Sequence, residues 1–262
     1  NLNGSGATVT VDLDLLEVTG GNLGTAPLSG IEVVNLDAGG ESVVVNGTTD
    51  DDEISYTPSA TDAGTIEVAG LNTVFNLSSV NTATGGLTID PLDPGTGADS
   101  DRVTVHGNAS DNDVSVDRGV STVQVDTMLS ATITSSSTEL LAVSSGSGDD
   151  RVSVEGSGGP VLEVVGGGPD ASDTLEIIGT TNGDDTFEYM PGASDDAGVL
   201  DLNGDETQFS GIEEIVLDGG EGTGSDTLIA NGNSADNAFT LIGTGDLGGT
   251  LAIDGFAPIT FD

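Results

Sequence analysis

Cysteine, tryptophan and lysine are all absent from this chain. Without cysteine no disulfide holds it together, and without tryptophan it lacks the broadest aromatic platform for a sugar ring. Basic residues are reduced to Arg102, Arg118 and Arg151 against 45 acids, a net charge of −42. Nucleic acid and anionic lipid both demand clustered Lys and Arg, so this balance excludes them as surface partners. No apolar run approaches the roughly 20 residues of a membrane helix, and membrane insertion is not expected. Aromatics make up 3% of the residues and histidine occurs once, as His106. Beyond His106 no Ser-His-Asp or Cys-His set can be assembled, and no phosphate-cradling loop carries a Lys.

Apolar residues are also scarce, at 35%. Low hydrophobicity with high net charge is the composition of disorder, but the order of the residues argues for strands. Of the 262 residues, 41 are Gly, and the 45 acids divide into 31 Asp and 14 Glu. Asp favours turns and tight metal loops, whereas Glu favours helix faces. A salt-adapted surface lowers the isoelectric point equally well, but it does not place carboxylates at fixed points of a repeat.

Ile212 to Gly232, IEEIVLDGGEGTGSDTLIANG, is the unit from which the repeat is read. An apolar strand ends at Leu217-Asp218, a Gly-rich turn delivers Asp226, and a second strand closes at Asn231-Gly232. Glycine supplies the positive φ expected of such a loop, and its carboxylates converge on the concave side. The second half recurs as Glu41-Ser42 before VVVNG, Asp101-Arg102 before VTVHG, Asp150-Arg151 before VSVEG and Asp173-Thr174 before LEIIG. First and third strand positions are apolar, the period-2 signature of a half-buried strand. A sentence written five times in one frame defines a repeat protein.

A second acidic turn follows most marker glycines: Gly47 leads to Asp51-Asp52, Gly107 to Asp111-Asn112, Gly179 to Asp184-Asp185 and Gly232 to Asp236-Asn237. Strands beginning at Ile54, Val114, Phe187 and Phe239 come next. Gly156 breaks the rule, reaching Val161 without an acid. The marker glycines are 60, 49, 23 and 53 residues apart, which predicts about two coils in each long interval and one in the short. Phe187, Tyr189, Phe209 and Phe239 fall on inward positions and read as core. His106 takes the place of Asn46, Glu155, Ile178 and Asn231, an outward one. Arg102 and Arg151 stand where Thr174 and Thr227 stand, suited to pairing with local carboxylates.

The acidic turns carry the chemistry. Ca²⁺ takes about six to eight oxygens from carboxylates, carbonyls and water, and stacked strands about 4.8 Å apart supply them from successive coils. Candidate ligands are Asp51, Asp52, Asp90, Asp93, Asp99, Asp101, Asp111, Asp113, Asp149, Asp150, Asp170, Asp173, Asp184, Asp185, Asp218, Asp226 and Asp236. The competing reading is that Asp and Gly simply make good turns in water. Paired carboxylates also serve polysaccharide hydrolysis on β-helices, yet here acids recur in every repeat and none is set apart. No enzymatic activity is expected.

The phrases NGDDTFEY, SGIEEIVLDGG and GSDTLIANG resemble the repeats of very large, acidic, β-strand-repeat surface proteins of bacteria. Their turns are similar to the glycine-aspartate loops of RTX calcium-binding proteins, although the nine-residue RTX period is absent. The likeness is best over residues 162–243, recognisable over 31–58 and 87–156, and weak elsewhere. It implies secretion, several bound Ca²⁺ ions and a structural or adhesive role at the cell surface.

The fold expected is a right-handed parallel β-solenoid with acidic Gly-rich turns; tandem small antiparallel β-sandwich repeats are the alternative. Residues 1–262 read as one array: partial repeat 1–46, repeats 47–106 and 107–155, a short repeat 156–178, repeat 179–231 and partial repeat 232–262. A start at Asn1 and a finish at Asp262, both in mid-pattern, suggest a processed form or a segment with open ends. The function expected is a calcium-stabilised segment of an extracellular fibre, sheath or surface layer. Its partners would be further copies, end to end or side by side, and a cell-surface or matrix polysaccharide. A spacer in an adhesin stalk and a polysaccharide-active enzyme are the other readings.

Overall fold

The computed structural model describes residues 1–92, 101–168, 172–220, 224–233, 237–243, 248–253 and 255–261. Asp93, Asp99, Asp170 and Asp236 lie outside the described residues. The chain is all-β, with two large mixed sheets of 12 and 14 strands and no closed barrel. Among the described residues the one helical turn is a 3-10 turn at Thr82–Thr84.

The strands run in chain order from β1 (Leu2–Asn3), β2 (Val9–Asp12), β3 (Glu17–Gly20) and β4 (Ala26–Pro27) to β5 (Val33–Glu41) and β6 (Val43–Asn46). Next come β7 (Glu53–Ala60), β8 (Ala63–Val68), β9 (Val74–Val80), β10 (Leu87–Asp90), β11 (Arg102–Asn108), β12 (Asp113–Asp117), β13 (Thr122–Val125) and β14 (Ala131–Ile133). They continue as β15 (Leu140–Gly146), β16 (Arg151–Glu155), β17 (Val161–Gly167), β18 (Thr174–Ile178), β19 (Thr186–Pro191) and β20 (Gly198–Leu202). The last are β21 (Asp205–Ser210), β22 (Glu214–Asp218), β23 (Thr227–Ala230), β24 (Phe239–Gly243), β25 (Gly249–Ile253) and β26 (Ile259–Phe261). Two compact units divide the chain, one of Asn1–His106 with Val120–Ala142 and one of Gly107–Gly119 with Val143–Asp262.

In the first unit β2, β6, β10 and β14 pair in parallel, placing Val9, Val43, Leu87 and Ala131 in one row. Val11, Val45, Ile89 and Ile133 form the next row, and all eight side chains are buried. The second unit repeats the device along β12, β16, β18, β22 and β26. There Val114, Val152, Leu175, Ile215 and Ile259 make one row and Val116, Val154, Ile177, Leu217 and Phe261 the other. Alternate side chains point to one face of a strand, so the apolar period of two becomes continuous columns. Each fully buried Val, Leu or Ile contributes about 1.5–3 kcal/mol relative to exposure.

The expectation of uniformly parallel strands is corrected by three-strand antiparallel meanders. These are β2-β3-β4 and β7-β8-β9 in the first unit, and β19-β20-β21 and β24-β25-β26 in the second. The cause is local. Between β20 and β21 stand only Asn203 and Gly204, with φ of 57° and 98°. Two positive φ values in a two-residue loop make the primed turn of a hairpin, for which Asn-Gly is the strongest short signal. So short a link cannot span the crossover that parallel neighbours need.

The meanders also reassign the five sister strands. The interval from Gly156 to Gly179 holds β17 and β18, one strand in each sheet, whereas that from Gly179 to Gly232 holds β19 to β23. A five-strand interval crosses between sheets three times and a two-strand interval twice. In the second unit β16 and β18 therefore share a sheet while β23 lies in the other, and in the first unit β6 and β11 are likewise separated. Phe187, Tyr189 and Phe209 are buried, with the Tyr189 and Phe209 rings stacked at 6.3 Å, but Phe239 is 49% exposed.

Candidate functional site

Five of the acids that immediately precede strands form an inner row and are buried, whereas Asp226, before β23, is exposed. Exposure is 6% for Asp52, 2% for Asp150 and 1% for each of Asp101, Asp173 and Asp185. In the first unit the Asp52 N–H donates to Asp101 Oδ1 at 2.6 Å, and the Asp101 N–H donates to Glu139 Oε2 at 2.8 Å. In the second unit the Asn112 N–H donates to Asp150 Oδ1 (2.7 Å), the Asp150 N–H to Asp173 Oδ1 (2.9 Å) and the Asp173 N–H to Glu213 Oε2 (2.9 Å). The Asp185 N–H reaches Asp226 Oδ1 at 3.0 Å. Each carboxylate thus accepts the backbone donor of its counterpart one strand away. Burying a backbone N–H without an acceptor is costly, and this row removes the cost at these six amides.

The same side chains also close their own turns. Asp52 Oδ2 accepts from the Thr48 N–H at 2.6 Å and its hydroxyl at 3.2 Å. Asp185 Oδ2 accepts from the Thr180 N–H at 2.7 Å, and its Oδ1 accepts from Asn203 Nδ2 at 2.6 Å. Asn112 Oδ1 does the same for the Asn108 N–H at 2.9 Å. Four of the five marker glycines, together with Gly166 and Gly219, leave room for these oxygens and for neighbouring carbonyls, whereas Gly156 has a φ of 78° and meets no acid of its own turn. A Cβ on Gly47, Gly107, Gly166, Gly179, Gly219 or Gly232 would come closer than 3.0 Å to a side-chain oxygen of Asp52, Asn112, Asp173, Asp185, Asp226 or Asn237 respectively. None of the six glycines has positive φ, so close approach of the acceptor, rather than left-handed backbone, explains them.

One turn departs from the pattern. Ser145 lies where Gly107 and Gly166 lie on neighbouring strands, and its hydroxyl donates to the Gly166 carbonyl at 2.6 Å. Asp150 Oδ2 is buried there with no hydrogen-bond partner among the described residues.

An outer row is exposed. Asp111 Oδ1 accepts from the Asp149 N–H at 3.0 Å, Asp149 Oδ1 from the Ser172 N–H at 3.3 Å and Asp184 Oδ1 from the Ser225 N–H at 2.8 Å. Asp51 and Asp113 are exposed as well, Asp113 opposite Arg151 across β12 and β16. Asp90 accepts from the Ser137 hydroxyl at 2.7 Å, and Asp218 accepts from the Gly220 N–H at 2.8 Å within its own turn. The structure therefore links Asp52 with Asp101, Asp111 with Asp149, Asp150 with Asp173, and Asp185 with Asp226. Among the described residues no three carboxylate or imidazole groups converge as a ready-made metal cage.

Burial lifts the Asp52 carboxyl above the ordinary 3.8; the Thr48 bonds oppose this, and the charges of Asp50 and Asp51 add to it. Burial lifts Asp173 likewise, opposed by the Asp150 N–H and reinforced by Asp150, Glu213 and Asp149. A carboxyl raised in the folded state favours folding below its unfolded value, and that contribution is lost as pH climbs through the folded value. Glu176 runs the other way. Burial pushes it up, but bonds from Arg151 (2.5 Å) and Ser153 hold it below 4.5, so its support fades only in stronger acid. The thermal midpoint is accordingly expected to rise as pH is lowered from neutrality through the raised folded values of Asp52 and Asp173, down to the 4.5 below which Glu176 begins to lose its support. A midpoint that falls across this window contradicts the assignment of Asp52 and Asp173 as raised groups.

Several working residues carry no repeat signature. Arg118, 8% exposed, donates to the carbonyls of Gly158, Pro160 and Glu206 and to the Thr207 hydroxyl, with Asp205 at 4.0 Å. The turn after Gly156 has no acid of its own; Arg118 binds its carbonyls, and Asp205 Oδ2 accepts from the Gly158 N–H at 2.9 Å. Thr48 and Thr180, directly after their marker glycines, were readable as a Gly-Thr pair. His106 lies half-buried on β11; burial lowers its basicity, with Glu67 opposing and Arg102 assisting. A cavity of about 580 Å³ in the second unit is lined by Phe187, Leu217, Leu228 and Phe261, with Asp226 at its wall.

No protein-family model matches the chain, and neither a curated protein nor a solved structure matches it.

Proposed function

We propose that this chain is a structural segment of an extracellular fibre, sheath or surface layer, built as a right-handed parallel β-solenoid interrupted by hairpins and further stabilised by Ca²⁺. The observation that carries this reading is the inner row: successive strands are clasped to one another by carboxylates repeated at fixed places. Such a device stiffens a stack and creates no isolated reactive group, so no enzymatic activity is proposed. Acids spent on clasping backbone are poor candidates for catalysis, and His106 has no part in the rows.

Calcium suits only part of the acidic set. Asp52 and Asp185 have oxygens engaged by backbone and hydroxyl donors, and they serve the fold. The turn ending at Asp150 fits a cation better. Among the described residues Asp150 Oδ2 is buried without a donor, and Asp149, bonded to Asp111, brings exposed carboxylates alongside. These residues would hold the ion, which supplies the positive charge that three arginines cannot. Two carboxylates about 4 Å apart repel by roughly 1 kcal/mol in water and about 4 kcal/mol at an intermediate dielectric, and coordination removes that repulsion.

The test is the thermal midpoint and β-sheet circular dichroism in EGTA, in Ca²⁺, and in NaCl of matched ionic strength. Calcium at a hundredfold excess over its dissociation constant is expected to add about 2.7 kcal/mol per site. Sodium is expected to recover only a part by screening. Equal recovery by sodium defeats the calcium reading, and turnover of a polysaccharide abolished by a single Asp→Asn change defeats the structural one.

A further inference from the structure

Five asparagines of this chain directly precede a glycine: Asn3, Asn46, Asn182, Asn203 and Asn231. An Asn-Gly pair can modify itself, because glycine has no side chain to shield its nitrogen from the neighbouring side-chain amide. The fold decides which pair is free to do so. At Asn3 and Asn46 the nucleophile is held by another strand: the Gly4 N–H donates to the Asp37 carbonyl and the Gly47 N–H to the Asp90 carbonyl, each at 2.7 Å. At Asn203 and Asn231 the side-chain amide is held. Asn203 accepts from the Thr186 N–H at 2.9 Å and donates to Asp185 Oδ1 at 2.6 Å, and Asn231 donates to Glu188 Oε1 at 2.7 Å. Asn182 lacks both restraints. It is exposed in the β18–β19 turn with a φ of 60°, and its side chain makes no hydrogen bond among the described residues. The Gly183 N–H is engaged only within the turn, by the Thr180 carbonyl at 3.2 Å.

We propose that Asn182 is a self-modification site, deamidating through a cyclic imide in the folded protein. This goes beyond the calcium and fibre reading and does not rest on it. The Gly183 nitrogen attacks the Asn182 side-chain carbonyl carbon, the bond to the side-chain nitrogen breaks, and ammonia leaves carrying the Gly183 proton. Water then opens the imide at one of its two carbonyls. One opening yields aspartate. The other yields isoaspartate, in which the main chain runs through the side-chain carbons. Either product adds a carboxylate beside Asp184 and Asp185, so the turn comes to carry three acids, as Asp50-Asp51-Asp52 does in the first unit. Isoaspartate also lengthens the main chain between Thr180 and Asp185, which are tied by the Thr180 N–H to Asp185 Oδ2 at 2.7 Å. The Asp185 N–H in turn donates to Asp226 Oδ1 at 3.0 Å, so the modified turn loosens its hold on the chain entering β23.

The experiment ages the full folded chain at mildly alkaline pH and follows it by peptide mass mapping with fragmentation that separates aspartate from isoaspartate. The amide-to-acid mass gain is expected several-fold faster at Asn182 than at Asn3, Asn46, Asn203 or Asn231. The Asn182→Gln variant is expected to show no gain at that position and unchanged rates at the other four, because its longer side chain closes the ring poorly. In urea the five pairs of the wild-type chain are expected to convert at similar rates, since the bonds that protect four of them belong to the fold. Hydrogen exchange at the Asp185 amide is expected to be faster in the aged wild type than in the fresh protein, and equal in aged and fresh Asn182→Gln. Conversion in the folded chain that is equal at all five, or fastest at another pair, overturns the site. The same ranking in urea shows that sequence alone selects it, which overturns the structural argument. Unchanged Asp185 exchange in a chain carrying isoaspartate overturns the loosening.

Discussion

Asp52→Ala is expected to cost the fold about 2–4 kcal/mol, while Asp52→Asn is expected to stay within about 0.5 kcal/mol of wild type. Asp52 is buried and takes both the N–H and the hydroxyl of Thr48 on one carboxylate oxygen. Alanine leaves the Thr48 N–H without its acceptor, at about 1–3 kcal/mol for a buried donor, and removes the hydroxyl's partner as well. Asparagine keeps a carbonyl oxygen in place. The chain itself supplies the precedent, because Asn112 closes the equivalent turn through the Asn108 N–H at 2.9 Å. Neutralising Asp52 also removes the like-charge contact with Asp50 and Asp51. Denaturant unfolding of the two variants measures the difference. If asparagine proves as damaging as alanine, the turn depends on charge, and a cation at Asp52 becomes the better account.

Gly47→Ala is expected to cost about 3 kcal/mol, with Gly168→Ala as a silent control within about 0.5 kcal/mol. A Cβ on Gly47 would meet both the Asp52 carboxylate and the Pro91 carbonyl oxygen, and the second belongs to backbone that cannot rotate away. Moving the strand would also stretch the bond from the Gly47 N–H to the Asp90 carbonyl, 2.7 Å long. Among the described residues nothing lies within 4 Å of a Cβ on Gly168, and its φ is not positive. Comparable unfolding energies for the two variants would show that Gly47 is a marker of turn composition only.

Much of this was legible because it is periodic. Val43, Val45, Val152, Val154, Leu175 and Ile177 alternate with polar residues, and the columns they form follow from the two-residue period of a strand. The Gly-to-Asp spacing was equally visible, but its meaning was not. Composition suggested loops that turn on positive φ, whereas the glycines at 47, 107, 166, 179, 219 and 232 leave room for an oxygen.

Strand direction was misjudged for a different reason. Asn203-Gly204 announces a hairpin in the sequence, yet a repeat read by its sister strands gives such a hairpin no weight. Burial of Phe239 could not be read locally, since it depends on what stacks beyond β24. Arg118 shows the same limit, because the carbonyl of Glu206 and the hydroxyl of Thr207 are nearly 90 residues away, at separations of 88 and 89.

Hydrogen exchange in EGTA at the backbone amides of Asp52, Asn112, Asp150, Asp173 and Asp185 tests the central claim most directly. Each of these amides donates to a carboxylate one strand away, without any ion. Protection close to that of Val152 and Ile177 in the core columns is expected, because opening any one requires neighbouring strands to part. Exchange as fast as at the exposed Asp51 and Asp184 would contradict the account, showing that the acidic rows do not clasp the strands unless a cation holds them.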